Sequence, residues 1–127
     1  LRVKLKYLDE WNQRRVKIAE KYLSNINCKE LILPCVKDDC DHVWHLFAIL
    51  HNDRDSFQDL LNNKSISTVV HYPIPPHMQK AYREHSFDEY DLHHTEVLSR
   101  QLVSLPIGPH LSDDEVEYVT EFINSSL

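Results

Sequence analysis

The sequence predicts an α+β domain of two layers, a small sheet with helices packed on one side. Two observations carry this. Helical and strand-like patterns alternate along the chain, but only three strands are evident, too few for a doubly wound sheet. The 127 residues, 42% of them hydrophobic, suffice for one compact core and not for two.

Leu1, Leu5, Leu8, Trp11, Ile18 and Tyr22 recur at helical spacing with Lys and Arg between them, which predicts one long amphipathic helix over residues 1–24. Leu1 stands inside that pattern with no capping residue before it, so a chain cut within a helix is expected. Asn25 to Asp41 reads as loop with one short strand near Leu31 to Leu33. His42 to His51 reads as a strand rich in β-favouring residues, with His45 half-buried on it. Asn52 or Asp53 caps a helix that turns Phe57, Leu60 and Leu61 inward, and Ile66 to Val70 forms a β-branched strand. Pro73, Pro75 and Pro76 then impose an extended passage, because each proline fixes φ and keeps the residue before it out of the helical region. A short helix near Met78 to Tyr82, a loop over Glu84 to Asp91, helical turns over Thr95 to Arg100 and a strand from Leu102 to Leu105 follow. Ser112 with Glu115 matches a capping box, Leu111 with Val116 its hydrophobic staple, and Val116, Val119 and Ile123 share one face of the last helix.

Composition narrows the function classes. Fourteen Lys and Arg against 20 Asp and Glu give a net charge of -6 without any basic block, which argues against nucleic acid as a partner. No run approaches the roughly 18 to 20 apolar residues of a membrane helix, and no signal-peptide core is visible. A cytoplasmic setting is expected, and three cysteines are too few and odd in number for a disulfide scaffold. The lone glycine, Gly108, excludes the Gly-rich phosphate loop and the dinucleotide fingerprint, and no serine elbow is present.

Cys35, Cys40, His42 and His45 superficially offer four zinc ligands, yet their spacing fits no regular finger and His42 and His45 would point to opposite faces of a strand. No metal site is expected. Among the nine histidines, His93 and His94 read as solvated, whereas His71 and His77 bracket the proline-stiffened run Tyr72 to Pro76. Such a run holds side chains in place with little entropy left to lose.

The run HYPIPPHMQKAY, His71 to Tyr82, resembles a segment of the DegT/StrS family of pyridoxal-phosphate (PLP) dependent sugar aminotransferases. Three more pieces are similar in the same order: VKLKYLDEWNQRRVKIA from Val3, VWHLFAI from Val43, and LVSLPIGPHLSDDEVEYV from Leu102. The loops Asn25 to Asp41 and Arg83 to His93 match poorly. The resemblance implies the small C-terminal domain of a fold-type I aminotransferase over residues 25–127, with residues 1–24 leading into it from a large domain.

In that family the large domain holds PLP on a lysine, and glutamate gives an amino group to a nucleotide-linked keto-sugar. None of Lys4, Lys6, Lys17, Lys21, Lys29, Lys37, Lys64 and Lys80 sits in the family's lysine motif, so the resemblance implies no catalytic residue and no cofactor here. It implies substrate contact by His71, Tyr72 and His77, and a homodimeric parent. The form HYPIPPH is similar to that of enzymes aminating a deoxy-sugar on thymidine diphosphate, with C3 and C4 amination both open. The rival readings are a non-enzymatic interaction module and a metal-dependent isomerase or epimerase.

Overall fold

In the computed structural model, residues 1–87 and 90–127 are described. The elements are α1 (Arg2–Leu5), α2 (Leu8–Asn25), β1 (Leu31–Ile32), β2 (Phe47–His51), α3 (Arg54–Asn62), α4 (His93–Gln101), β3 (Leu102–Leu105) and α5 (Asp113–Ser126). The strands form one antiparallel sheet in the order β1-β2-β3. Phe47 lies opposite Leu105 and Ile49 opposite Val103. Because side chains alternate along a strand, these four share one face of the sheet.

That face carries the core. Ile18, Ala19 and Tyr22 of α2, Phe57 and Leu61 of α3, and Val116, Val119 and Ile123 of α5 close on it in one cluster. Tyr22 packs on Phe47 at a ring distance of 5.0 Å, and Phe57 stacks on His51 at 4.9 Å. Ala48, Leu50, Leu102 and Ser104 face the other way. The expected two-layer α+β domain is therefore the architecture found.

Local chemistry explains where the helices begin. Asp53 caps α3 by accepting the Ser56 N–H, and the Ser56 side chain first and then that N–H draw its carboxyl below the usual range. Ser112 and Glu115 form the expected capping box at α5, and Leu111 packs against the core beside buried Val116. Arg14 and Lys21 of α2 both reach Asp113, at 2.7 and 2.9 Å, and Arg14 also donates to the Leu111 carbonyl at 2.6 Å. Those contacts fix α2 against the start of α5.

Four expectations need correction. The opening helix is broken at Tyr7, whose backbone at φ -107, ψ 0 leaves the helical region and whose N–H bonds Lys4 instead of continuing the ladder. The strand expected from His42 begins only at Phe47. His42 accepts the Trp44 N–H on its own ring at 3.0 Å and Trp44 adopts φ 52, a local bond that competes with sheet pairing. His45 is consequently exposed outside the strand, not half-buried on it. Ile66 to Val70 contributes a single bridge, Val69 to Ser104, because Gln58 takes both the carbonyl and the hydroxyl of Thr68 and the prolines follow at once.

The short helix near Met78 is two 3-10 turns, Pro76–Met78 and Lys80–Tyr82, and the turns expected over Thr95 to Arg100 extend to all of α4. The loop expected over Glu84 to Asp91 falls partly on residues 88 and 89, outside the described residues.

Candidate functional site

The proline passage emerges by the sheet face opposite α2, α3 and α5. Val69 and Ser104 exchange both backbone hydrogen bonds, at 3.3 and 2.8 Å, and lead the chain off the edge of β3. His71 then sits half-buried with Nδ1 3.0 Å from the Ser104 hydroxyl. The His71–Tyr72 peptide is cis. Tyr72 stands out from the surface, 76% exposed, its ring meeting His71 edge-on at 5.8 Å. Pro75 is buried, and Pro76 opens the first 3-10 turn, where Met78 N–H donates to the Pro75 carbonyl.

His77 is arranged differently. Its side chain is 13% exposed, its Nε2 lies 3.3 Å from Oε1 of Glu96 in the first turn of α4, and Phe87 meets it edge-on at 6.1 Å. Pro76, His77, Tyr82, Phe87, Tyr90 and Leu92 line an open, largely apolar hollow of about 370 Å³. The three sequence-expected residues thus divide: His71 and Tyr72 touch each other on the exposed side, while His77 turns to α4.

Two residues of this arrangement escaped the sequence. Ser104 left a signal, as a lone hydroxyl inside the apolar run Leu102 to Leu105. Glu96 left none, since an acidic residue in a first helical turn is common for electrostatic reasons alone.

The described residues do not by themselves fit PLP. A Schiff-base lysine needs a desolvated pocket with an anion cradle beside it. Seven of the lysines are exposed, and half-exposed Lys21 is engaged with Asp113. Gly108 makes no cradle, because a Cβ there would meet the His110 ring at 2.5 Å. Among the described residues no group of three or more His, Cys, Asp or Glu is placed to hold a metal ion. Cys35, Cys40, His42 and His45 are all exposed, and Cys40 lies 3.7 Å from Asp39. No described helix is long and apolar enough to cross a membrane.

Fold and loop together define a small α+β domain that presents a Tyr–His pair beside Ser104, on the side of the sheet away from α2, α3 and α5. The chain belongs to the DegT/DnrJ/EryC1/StrS aminotransferase family, which matches residues 1–124. It is 47% identical over 124 residues to the dTDP-3-amino-3,6-dideoxy-alpha-D-galactopyranose transaminase of Aneurinibacillus thermoaerophilus, covering 98% of this chain and 34% of that protein. To the dTDP-3-amino-3,4,6-trideoxy-alpha-D-glucose transaminase of Streptomyces venezuelae it is 42% identical over 112 residues, 87% of this chain and 30% of that one. The chain thus spans about a third of the length of the curated relatives it matches.

Solved structures agree. S. venezuelae DesV, crystallised with a ketimine intermediate, superposes with a TM-score of 0.92 at 37% identity, over 98% of this chain and 34% of that one. A DegT DnrJ EryC1 StrS aminotransferase from Brucella abortus gives 0.90 at 26% identity, over 99% and 34%.

Proposed function

We propose that this chain is the C-terminal small domain of a PLP-dependent sugar aminotransferase, with residues 1–24 joining it to a large domain that holds the cofactor. The observation that carries this reading is the family match over residues 1–124 together with relatives named as dTDP-3-amino-sugar transaminases. The reaction moves the amino group of glutamate to the keto carbon of a dTDP-linked deoxy-sugar, leaving 2-oxoglutarate and the amino sugar. Amination at C3 is favoured over C4, because both relatives are named for an amine at C3.

What this domain contributes is substrate contact. The exposed Tyr72 phenol offers one donor and two acceptor positions for a sugar hydroxyl or a phosphate oxygen, and His71 packs against its ring. Cofactor binding lies outside these residues, as the surface positions of the lysines suggest. A homodimer and a cytoplasmic setting complete the reading. The latter accords with three free cysteines, Cys28, Cys35 and Cys40, which a reducing compartment keeps as thiols.

The test is turnover by the full-length protein charged with PLP and glutamate and offered a dTDP-linked 3-keto-6-deoxyhexose. Mass spectrometry should find the amino sugar with matching 2-oxoglutarate. The 127-residue chain titrated with PLP should show no stoichiometric Schiff-base absorbance. Failure of the full-length protein to aminate any nucleotide-linked keto-sugar, or a specific absorbance band from this chain that one lysine substitution abolishes, would overturn the proposal.

A further inference from the structure

We propose that Ser104 and Glu96 are positioning residues, which hold the two histidines bracketing the proline passage and so fix where Tyr72 stands. The inference rests on the proposed substrate role of Tyr72 for its kinetic consequence. Its structural content stands on geometry alone.

Ser104 is the first anchor. It is 4% exposed in a strand whose neighbours Val103 and Leu105 are buried and apolar. A buried hydroxyl is costly unless it is hydrogen-bonded, and the group within reach on this sheet face is Nδ1 of His71, at 3.0 Å. The same residue binds Val69 through both of its backbone groups. Ser104 therefore fixes the chain at Val69 and again at His71.

Glu96 is the second anchor. A carboxylate in the first turn of a helix on the surface is well placed to stay in water. Here Oε1 instead lies 3.3 Å from Nε2 of a His77 side chain that is 13% exposed. His77 is in this view an anchor of the passage and not a ligand of the substrate.

The two anchors belong to one continuous piece, since α4 ends at Gln101 and β3 starts at Leu102. Between the histidines lie Tyr72 to Pro76, three of them prolines with φ fixed, and Pro75 is buried. A short stiff passage tied at both ends to one rigid piece has few ways to move. Tyr72 and Ile74, 76% and 53% exposed, are what it presents. Released at either end, the passage keeps its proline stiffness but pivots about the remaining anchor, and the phenol loses its fixed position.

The variants are Ser104→Ala, which deletes only the hydroxyl, and Glu96→Ala, at a half-exposed site where the fold is not at stake. Glu96→Gln keeps an acceptor for His77. In this chain labelled uniformly with 15N, S104A should move the imidazole nitrogen signals of His71 and E96A those of His77. In both, the Tyr72 amide order parameter should fall from about 0.85 towards 0.6.

In the full-length enzyme each alanine variant should raise KM for the nucleotide sugar about 2- to 12-fold, the effect of one lost hydrogen bond, while kcat and the glutamate half-reaction hold. E96Q should recover most of the KM. Unchanged Tyr72 order in both variants, or reduced order with unchanged KM, overturns the proposal. If the unmutated enzyme aminates no nucleotide sugar, it is the functional reading that fails, and the Tyr72 order parameter then decides on the anchors by itself.

Discussion

Replacing Tyr22 with Phe removes a single oxygen from the centre of the fold. Tyr22 is fully buried, its ring packs on Phe47 at 5.0 Å, and its hydroxyl donates to the Pro106 carbonyl at 2.9 Å. Burial pushes the phenol's pKa up, which keeps it protonated and a donor at neutral pH. The bond links α2 to the residue that follows β3, 84 positions along the chain. Phenylalanine keeps the ring contacts. The cost is then one net hydrogen bond, about 0.5 to 1.5 kcal/mol, rising towards 3 if the carbonyl is left dry.

Pro106 is half-buried, so water reaches its carbonyl in part and about 1 kcal/mol is expected. For a chain of this size that lowers Tm by about 3 to 5 °C. Tyr22→Ala, which empties the ring's volume as well, should cost about 3 to 5 kcal/mol. Urea unfolding followed by far-UV circular dichroism and by tryptophan fluorescence measures both. A Y22F protein as stable as the parent, or as damaged as Y22A, would refute this account of the contact between α2 and β3.

Two further outcomes follow from the surface. Asp53, Asp113 and Glu115 are held below their ordinary pKa values, Asp113 chiefly by the Lys21 ammonium and then the Arg14 guanidinium, Glu115 chiefly by the Ser112 backbone. Depressed folded values mean stability that is complete above the unfolded pKa of about 4 and lost as pH falls through the folded ones. Urea midpoints at neutral and acid pH should therefore converge in D113N more than in the parent, and an identical acid slope would count against the pair. Leu1, Val3, Leu5, Tyr7 and Leu8 are exposed on the opening helices, so this chain should bind a hydrophobic dye or self-associate. Leu5→Lys should reduce both, and a monomer that binds no dye would contradict the expectation.

The sequence carried the parts of the fold that depend on local chemistry. The capping box at Ser112 and Glu115 and the aspartate cap of α3 both satisfy orphan N–H groups within one turn, so their signatures are visible in four consecutive residues. The core face of α5 is equally legible from its periodicity, as are Phe57 and Leu61 of α3, whereas Leu60, expected inward with them, is half-buried outside the core cluster. What failed were places where one side chain overrides its own segment. Trp44 is β-favouring by type, yet its N–H is captured by the His42 ring two residues back and its side chain turns into the core beside Phe47. The break at Tyr7 has no glycine or proline to announce it.

At the site, proline spacing and resemblance pointed to residues 71–77, but which of them faces outward depends on partners 33 and 19 positions away. Periodicity cannot reach that far. His77 and Tyr72 looked alike from the sequence and differ because α4 supplies Glu96 to one and nothing to the other.

The central claim is that the Tyr72 loop meets the nucleotide sugar and not the cofactor, and the most direct test separates the two half-reactions of the full-length enzyme. Single-turnover kinetics would be followed first with glutamate alone and then with the keto-sugar alone, in the parent and in Tyr72→Phe and His71→Ala. The account predicts that the sugar half-reaction weakens by about 2- to 12-fold in KM or kcat/KM, more where a phosphate loses its partner, with the glutamate half-reaction nearly unchanged. Loss of PLP or of the glutamate half-reaction would instead place these residues at the cofactor, and parental kinetics in both halves would remove them from the site.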